Sequence, residues 1–332
     1  MRILGFSLLL ALGACGTDSG DASNTGQDIA VRAPIIIAHR GASGERPEHT
    51  IEAYRLAIEQ GADFIEPDLV MTRDGVLVAR HDRYLSTTTD VANHPEFADR
   101  RREQTGTFGT RDDWWVEDFT LAELKTLRAR QAFEGRSAEF DGLYEIPTFA
   151  ETLDLVVMEA AEGRIVGIYP EIKAAEYYAN IGLSMADPVL EALDGANIAE
   201  AAIPVFIQSF EADILRELDG KSDWPLVQLI SGNPKAAITG REPPLEDVAT
   251  YADGIGPNKM LLWTVGGQPS DYVANAKALG LDVHPWTVRD DRVRSGFETV
   301  EDQLGAMFDM GIDGVFTDFP ATAVRVRDEI NE

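Results

Sequence analysis

The sequence predicts an α/β protein, a (β/α)8 or TIM barrel with an insertion after its second strand, and three observations point there. Short apolar runs alternate with longer amphipathic stretches, the pattern of a parallel sheet built from βα units. Eight such runs occur, at 35–39, 63–68, 165–171, 203–209, 226–230, 254–257, 281–287 and 314–317. Between them, apolar residues recur with helical period at 50–60, 149–162, 186–193, 211–218, 244–251, 271–279 and 300–310. The third observation is that reactive polar residues collect where the apolar runs end. In a barrel those ends meet at one mouth. A chain of 332 residues, 44% of them hydrophobic, is enough for one such domain. Pattern alone leaves an open doubly wound sheet as the alternative.

Taken in order, residues 1–14 read as an export leader: a basic start at Arg2, an apolar run over 3–12, then Gly13-Ala14. The run is shorter than the ~20 residues a membrane span needs. Leu12-Gly13-Ala14-Cys15 resembles the lipobox of bacterial lipoproteins, which implies that Cys15 is the lipidated first residue of the mature chain. Residues 15–33, rich in Gly, Ser, Asp, Asn and Thr, then form a flexible tether. The expectation is an exported protein, periplasmic or at the cell surface, that touches the membrane only through its lipid. Cys15 is the one cysteine, so the barrel domain over 34–330 folds without disulfides. A net charge of −28 excludes a nucleic-acid partner, whose binding rests on clustered Lys and Arg. A small anionic substrate remains possible where local cations or a metal reverse the field.

The second βα unit is irregular. Residues 71–82 read as a hairpin turning at Thr72-Arg73-Asp74-Gly75. Residues 83–119 are polar with few periodic apolar positions, and a helix starts at Thr120. A loop of that length is often functional. It reads equally as a lid over the barrel mouth and as a surface excursion.

Candidate chemistry sits at the strand ends. The first run closes in His39-Arg40-Gly41, the second in Glu66-Pro67-Asp68, the third in Glu171-Ile172-Lys173. Residues two apart on a strand share a face, so Glu66 and Asp68 point the same way. Carboxylates converging at one mouth repel each other unless a cation or protons intervene. An all-oxygen cluster suits Ca2+ or Mg2+ better than zinc, and ligand type does not separate the two. His39, and His81 in Arg80-His81-Asp82, can serve as an acid–base pair astride a phosphodiester. Arg40 can hold phosphate oxygens in its planar fork. Pro67 removes a backbone donor from a central strand, which is costly away from an edge.

These motifs in this order closely resemble the glycerophosphodiester phosphodiesterases: His39-Arg40-Gly41-Ala42-Ser43-Gly44, Pro47-Glu48-His49-Thr50, Gly61-Ala62-Asp63, Glu66-Pro67-Asp68-Leu69, Thr72-Arg73-Asp74-Gly75 and His81-Asp82. Residues 168–173, 251–257, 283–289 and Phe316-Thr317-Asp318-Phe319-Pro320 resemble the bacterial periplasmic branch in particular. The resemblance runs from about residue 36 to residue 324. It implies metal-dependent hydrolysis of glycerophosphocholine, glycerophosphoethanolamine and similar small diesters to sn-glycerol 3-phosphate and an alcohol. Glu66, Asp68 and Glu171 would hold one divalent metal, Ca2+ favoured and Mg2+ possible. His39 and His81 would be the acid–base pair, Arg40 and Lys173 the phosphate grip, and Phe210 and Trp286 the surface for the glycerol carbons. Glu48 would stand near the metal or orient a residue that binds it, and His49 would belong to the start of the first helix. His94, His284 and Asp112-Asp113-Trp114-Trp115 match no family role. The other readings are a lysophospholipase D-like enzyme, a surface-exposed binding lipoprotein on the same fold, and a sugar-phosphate barrel.

Overall fold

A computed structural model describes residues 33–331 apart from 107–108 and 234–241. The leader, Cys15 and nearly all of the tether lie outside the described residues. No helix among those described is long and apolar enough to cross a membrane.

Eight strand positions follow one another around a parallel ring. They are Ile35–His39, Phe64–Glu66 continued by Asp68–Met71, Gly167–Ile168 continued by Glu171–Ile172, Ile207–Ser209, Leu226–Ile230, Gly254–Pro257, Asp282–Val283 and Gly314–Thr317. The open-sheet alternative fails, because the eighth strand pairs with the first (Ile36 with Val315, Ala38 with Thr317). The ladder is not continuous. It divides into a four-stranded sheet (eighth, first, second, third) and a seven-stranded one that carries the rest and the hairpin. The division falls at Pro67 and Pro170, neighbours in the second and third strands that have no N–H to donate. Single bonds cross it: Tyr169 N–H donates to Ile65 O and Glu171 N–H to Pro67 O, each at 2.9 Å. Between the seventh and eighth positions the contact is likewise made by single bonds, Phe316 N–H to Pro285 O at 3.0 Å and Val288 N–H to Phe316 O at 2.9 Å. Prolines also explain why the regular strands are shorter than the apolar runs, since Pro204 and Pro285 interrupt the fourth and seventh. The expected cost of Pro67 is thus a broken ladder, with the parallel order kept.

Helices cover the outside where the periodicity placed them, from Ile51–Glu59 to Val300–Asp309. Four of the described helices begin with a threonine cap: Thr50 accepts from Ala53 N–H, and Thr120, Thr148 and Thr299 form reciprocal boxes with Glu123, Glu151 and Asp302. The hairpin is present, with Asp68–Met71 antiparallel to Leu77–Ala79. Residues 83–119 are more ordered than their polarity suggests. Arg102–Gly106 pairs with Gly109–Asp113, and Leu85, Val91, Phe97, Trp114 and Phe119 are buried against the barrel's main core. These residues carry no single period, which is why pattern reading passed over them.

Strand alternation sets what lies inside the barrel. Ile37, Phe64, Tyr169, Val227 and Phe316 form a compact interior plug, with Phe206 and Trp286 packed against it. Gly167 makes room for it, since a Cβ there would lie 2.1 Å from the Phe64 ring. Two residues beyond the plug, on the same face, come His39, Glu66, Glu171, Gln208 and Asp318. The apolar layer is therefore the floor of a polar mouth.

Candidate active site

Glu66, Asp68 and Glu171 each place an oxygen within 4.8 Å of the others, and all three side chains are buried. Their remaining contacts are cationic or neutral donors. Arg40 N–H donates to Glu66 Oε2 at 2.8 Å, and Gln208 Nε2 to Glu66 Oε1 at 3.1 Å. Arg40 and Gly41 turn the chain after the first strand with φ of 61° and 81°, which aims that amide at Glu66. Gly41 could not be replaced cheaply, because a Cβ there would sit 2.6 Å from the Ala53 backbone. Lys173 Nζ pairs with Glu171 Oε1 at 2.8 Å and stands 3.8 Å from Asp68 Oδ1. Asp68 Oδ1 is buried and accepts no hydrogen bond.

The electrostatics follow from burial and crowding. Burial first, then Asp68 and Glu171, pushes Glu66 well above the usual carboxylate range. Burial pushes Glu171 up to about 8 despite Lys173. Burial would raise Asp68 too, but Lys173 and His49 hold it well below its ordinary value. Three buried carboxylates with one unsatisfied oxygen favour protons or a hard cation among them, and the donor set fits a divalent ion.

The two histidines flank this cluster, each backed by an aspartate. His39 Nδ1 donates to Asp318 Oδ1 at 2.6 Å, and His81 Nδ1 to Asp82 Oδ1 at 3.0 Å. Asp318 stays ionised well below its usual range because His39, Arg289 and Arg136 outweigh its burial. Burial and then Arg40 bring His39 down to about 4, so at neutral pH its Nε2 carries a lone pair. Burial, then Arg40, lowers His81 as well. Both rings are set up to exchange protons at Nε2.

The remaining expected residues stand nearby. Lys173 Nζ lies 5.8 Å from the centre of the Phe210 ring, and Phe210 meets Trp286 edge-on at 5.6 Å. Glu48 accepts from Arg40 Nη1 at 3.0 Å, so it orients a neighbour of the carboxylates. His49 does precede the first helix, next to its cap Thr50, but it is fully buried and bonds Asp68 Oδ2 through Nε2 at 2.9 Å. Its Nδ1 meets Tyr54 OH at 2.8 Å. His284 is buried with its Nδ1 2.8 Å from Tyr169 OH, under the floor. His94 stacks on Phe97 away from the strand ends. Sequence reading assigned no site role to Gln208, Asp318, Arg136 or Arg289. Alternation from the plug would have found Gln208 and Asp318; nothing local marks Arg136, which arrives from a loop.

Residues 39–322 match the model of the glycerophosphoryl diester phosphodiesterase family. The chain belongs to this family. It is 33% identical to a glycerophosphodiester phosphodiesterase of Haemophilus influenzae, over 98% of both chains. It is 37% identical to one from Arabidopsis thaliana, over 86% of this chain and 84% of that one. Among solved structures, the fold matches an Oleispira antarctica phosphodiesterase in complex with the product sn-glycerol-3-phosphate. That match has a TM-score of 0.65 and 23% identity, covering 89% of this chain and 97% of that one. The family depends on a divalent metal, and this member is an enzyme that hydrolyses glycerophosphodiesters. Membership disfavours the lysophospholipase D-like and binding-protein readings.

Proposed function

We propose that Glu66, Asp68 and Glu171 hold one divalent ion, Ca2+ before Mg2+, and that His39 and His81 move the protons of the reaction. The observation that carries this reading is the buried Asp68 oxygen that accepts no hydrogen bond, between two other carboxylates and 3.8 Å from Lys173 Nζ. Three carboxylates from two strands make an irregular oxygen set, which Ca2+ tolerates better than Mg2+. When bound, such an ion supplies positive charge to the nonbridging phosphate oxygens. Arg40 and Lys173 add theirs from the protein side and oppose the acidity of the surrounding surface. One histidine, neutral, takes a proton from the attacking oxygen at Nε2, and the other, entering the step as imidazolium, gives its Nε2 proton to the departing alcohol. Asp318 and Asp82 accept the Nδ1–H of the two rings and so leave Nε2 to the reaction. Phe210 and Trp286 pack against the glycerol carbons. The product in the Oleispira antarctica complex supports sn-glycerol 3-phosphate as the product here, with glycerophosphocholine and glycerophosphoethanolamine as substrates.

The test is release of glycerol 3-phosphate from glycerophosphocholine with Ca2+, with Mg2+ and with chelator. Metal-dependent release, greatest with Ca2+ and lost in Glu66→Ala, is the expected result. Release that persists in chelator would defeat the assignment. The leader residues support a further proposal, export and lipid anchoring at Cys15. Cys15→Ser should then move the protein out of the membrane fraction, and unchanged fractionation would refute anchoring.

A further inference from the structure

The other arc of the mouth, at the ends of the sixth to eighth strands, is basic. Arg136, Arg289 and Arg292 gather around one ring, their guanidinium carbons 4.2, 5.4 and 5.1 Å from the centre of Phe133. Lys259 lies just past the sixth strand, its backbone N–H donating to Trp286 O at 2.8 Å. Arg136 and Arg289 each donate to Asp318 Oδ2 at 2.6 Å, on the carboxylate whose other oxygen holds His39. Arg136 also pairs with Asp291 at 2.7 Å, while Asp290 turns away to Thr322. Among the described residues, neither Lys259 nor Arg292 makes a salt bridge or a side-chain hydrogen bond. Cations without carboxylates are unexpected in a chain with 57 acidic and 29 basic residues. Burial, and then Arg289, brings the Lys259 ammonium down to about 8, a cost that an arriving anion would relieve.

We infer that this arc is a subsite for a phosphate carried on the leaving alcohol, so that the enzyme favours glycerophosphodiesters with phosphorylated headgroups. The inference rests on the reading above that His39 acts at the reacting phosphorus. A diester held there has two arms; the Phe210–Trp286 face takes the glycerol, which carries no charge, so an anion among the cations around Phe133 belongs to the alcohol arm. Planar guanidinium forks beside an ammonium suit a dianionic phosphate better than a carboxylate. Four cations against Asp318 and Asp291 leave the arc with a positive surplus, and its field would draw the anion in.

The test compares kcat/KM of the full chain for glycerophosphoinositol 4-phosphate and for glycerophosphocholine, in wild type and in Lys259→Met/Arg292→Met. The wild type should favour the phosphorylated headgroup by about tenfold or more, with the ratio shrinking as salt rises. The double variant should lose that ratio through KM. A wild-type ratio near one, or a ratio the double variant leaves unaltered, overturns the inference. Calorimetric titration with inositol 4-phosphate alone separates the two readings. Binding that the double variant weakens about tenfold supports the subsite, even in a protein inactive on both diesters. No binding, in a protein that turns over glycerophosphocholine, removes the subsite and leaves the proposed reaction standing.

Discussion

The two arcs of the barrel mouth solve opposite electrostatic problems. At the second and third strands, three carboxylates are crowded into a buried corner, and two cations, Arg40 and Lys173, and a hydrogen bond from the His49 ring are brought to them. At the sixth to eighth strands the surplus is cationic, and Asp318 is the carboxylate that holds it together, taking His39, Arg136 and Arg289 at once. The acidic arc is short in sequence and built on strand alternation. The basic arc draws on the ends of several strands and on a loop. An acidic protein can thus handle anionic substrates, because what matters is the local field at the mouth rather than the net charge.

That contrast can be broken at several points. Asp68→Asn removes a charge from the centre of the acidic arc. It should lower kcat/KM by on the order of a thousandfold at saturating Ca2+, and a variant with near-normal turnover would detach this arc from catalysis. His39→Ala, at the join between the arcs, should cost about 10²–10⁴-fold in kcat. Asp318→Asn should cost less and shift the acidic limb of the pH profile, because it positions His39 without touching substrate. If His39→Ala keeps full rate, the join is structural only. His49→Phe should weaken metal binding about 10–100-fold, as expected for a partner that orients a ligand. Unchanged affinity, read by calorimetry, would limit His49 to packing.

The smallest effect concerns stability in chelator. Burial brings both His39 and His49 down to about 4 in the folded protein, against an ordinary histidine value of 6.5. Between those values the unfolded chain binds protons that the folded chain refuses. The share of these two imidazoles is therefore full above about pH 6.5 and lost as pH falls toward about 4, while Glu66 and Glu171, raised by burial, contribute with the opposite sign over the same range. From pH 7 to pH 5 the thermal midpoint of metal-free His49→Phe should fall less, or rise more, than that of the metal-free wild type. The same pH dependence in wild type and variant would contradict the burial of a neutral His49 imidazole.

The difference between the arcs also explains what could be read from the sequence. All eight strand positions followed from the apolar runs and seven helical stretches from periodicity, while the helices Ala175–Asn180 and Pro320–Asn331 were not anticipated. Glu66, Asp68 and Glu171 followed from a period of two and a shared mouth. Sequence could not show that Pro67 and Pro170 stand side by side and divide the ladder, because register is a property of pairing, not of one strand. It also could not show that Arg136 reaches Asp318 across 182 positions. A long side chain on a loop has no period to betray its direction. Asp318 and Gln208 are intermediate cases, within reach of the alternation rule once Phe316 and Phe206 are known to point inward.

The central claim is that the acidic arc is a metal site, and calorimetric titration of the metal-stripped protein with Ca2+ tests it most directly. The account predicts one ion per chain, with binding abolished or greatly weakened in Glu66→Gln and in Asp68→Asn while both variants remain folded. Binding of Ca2+ with the same stoichiometry and affinity in wild type and in both variants would contradict it.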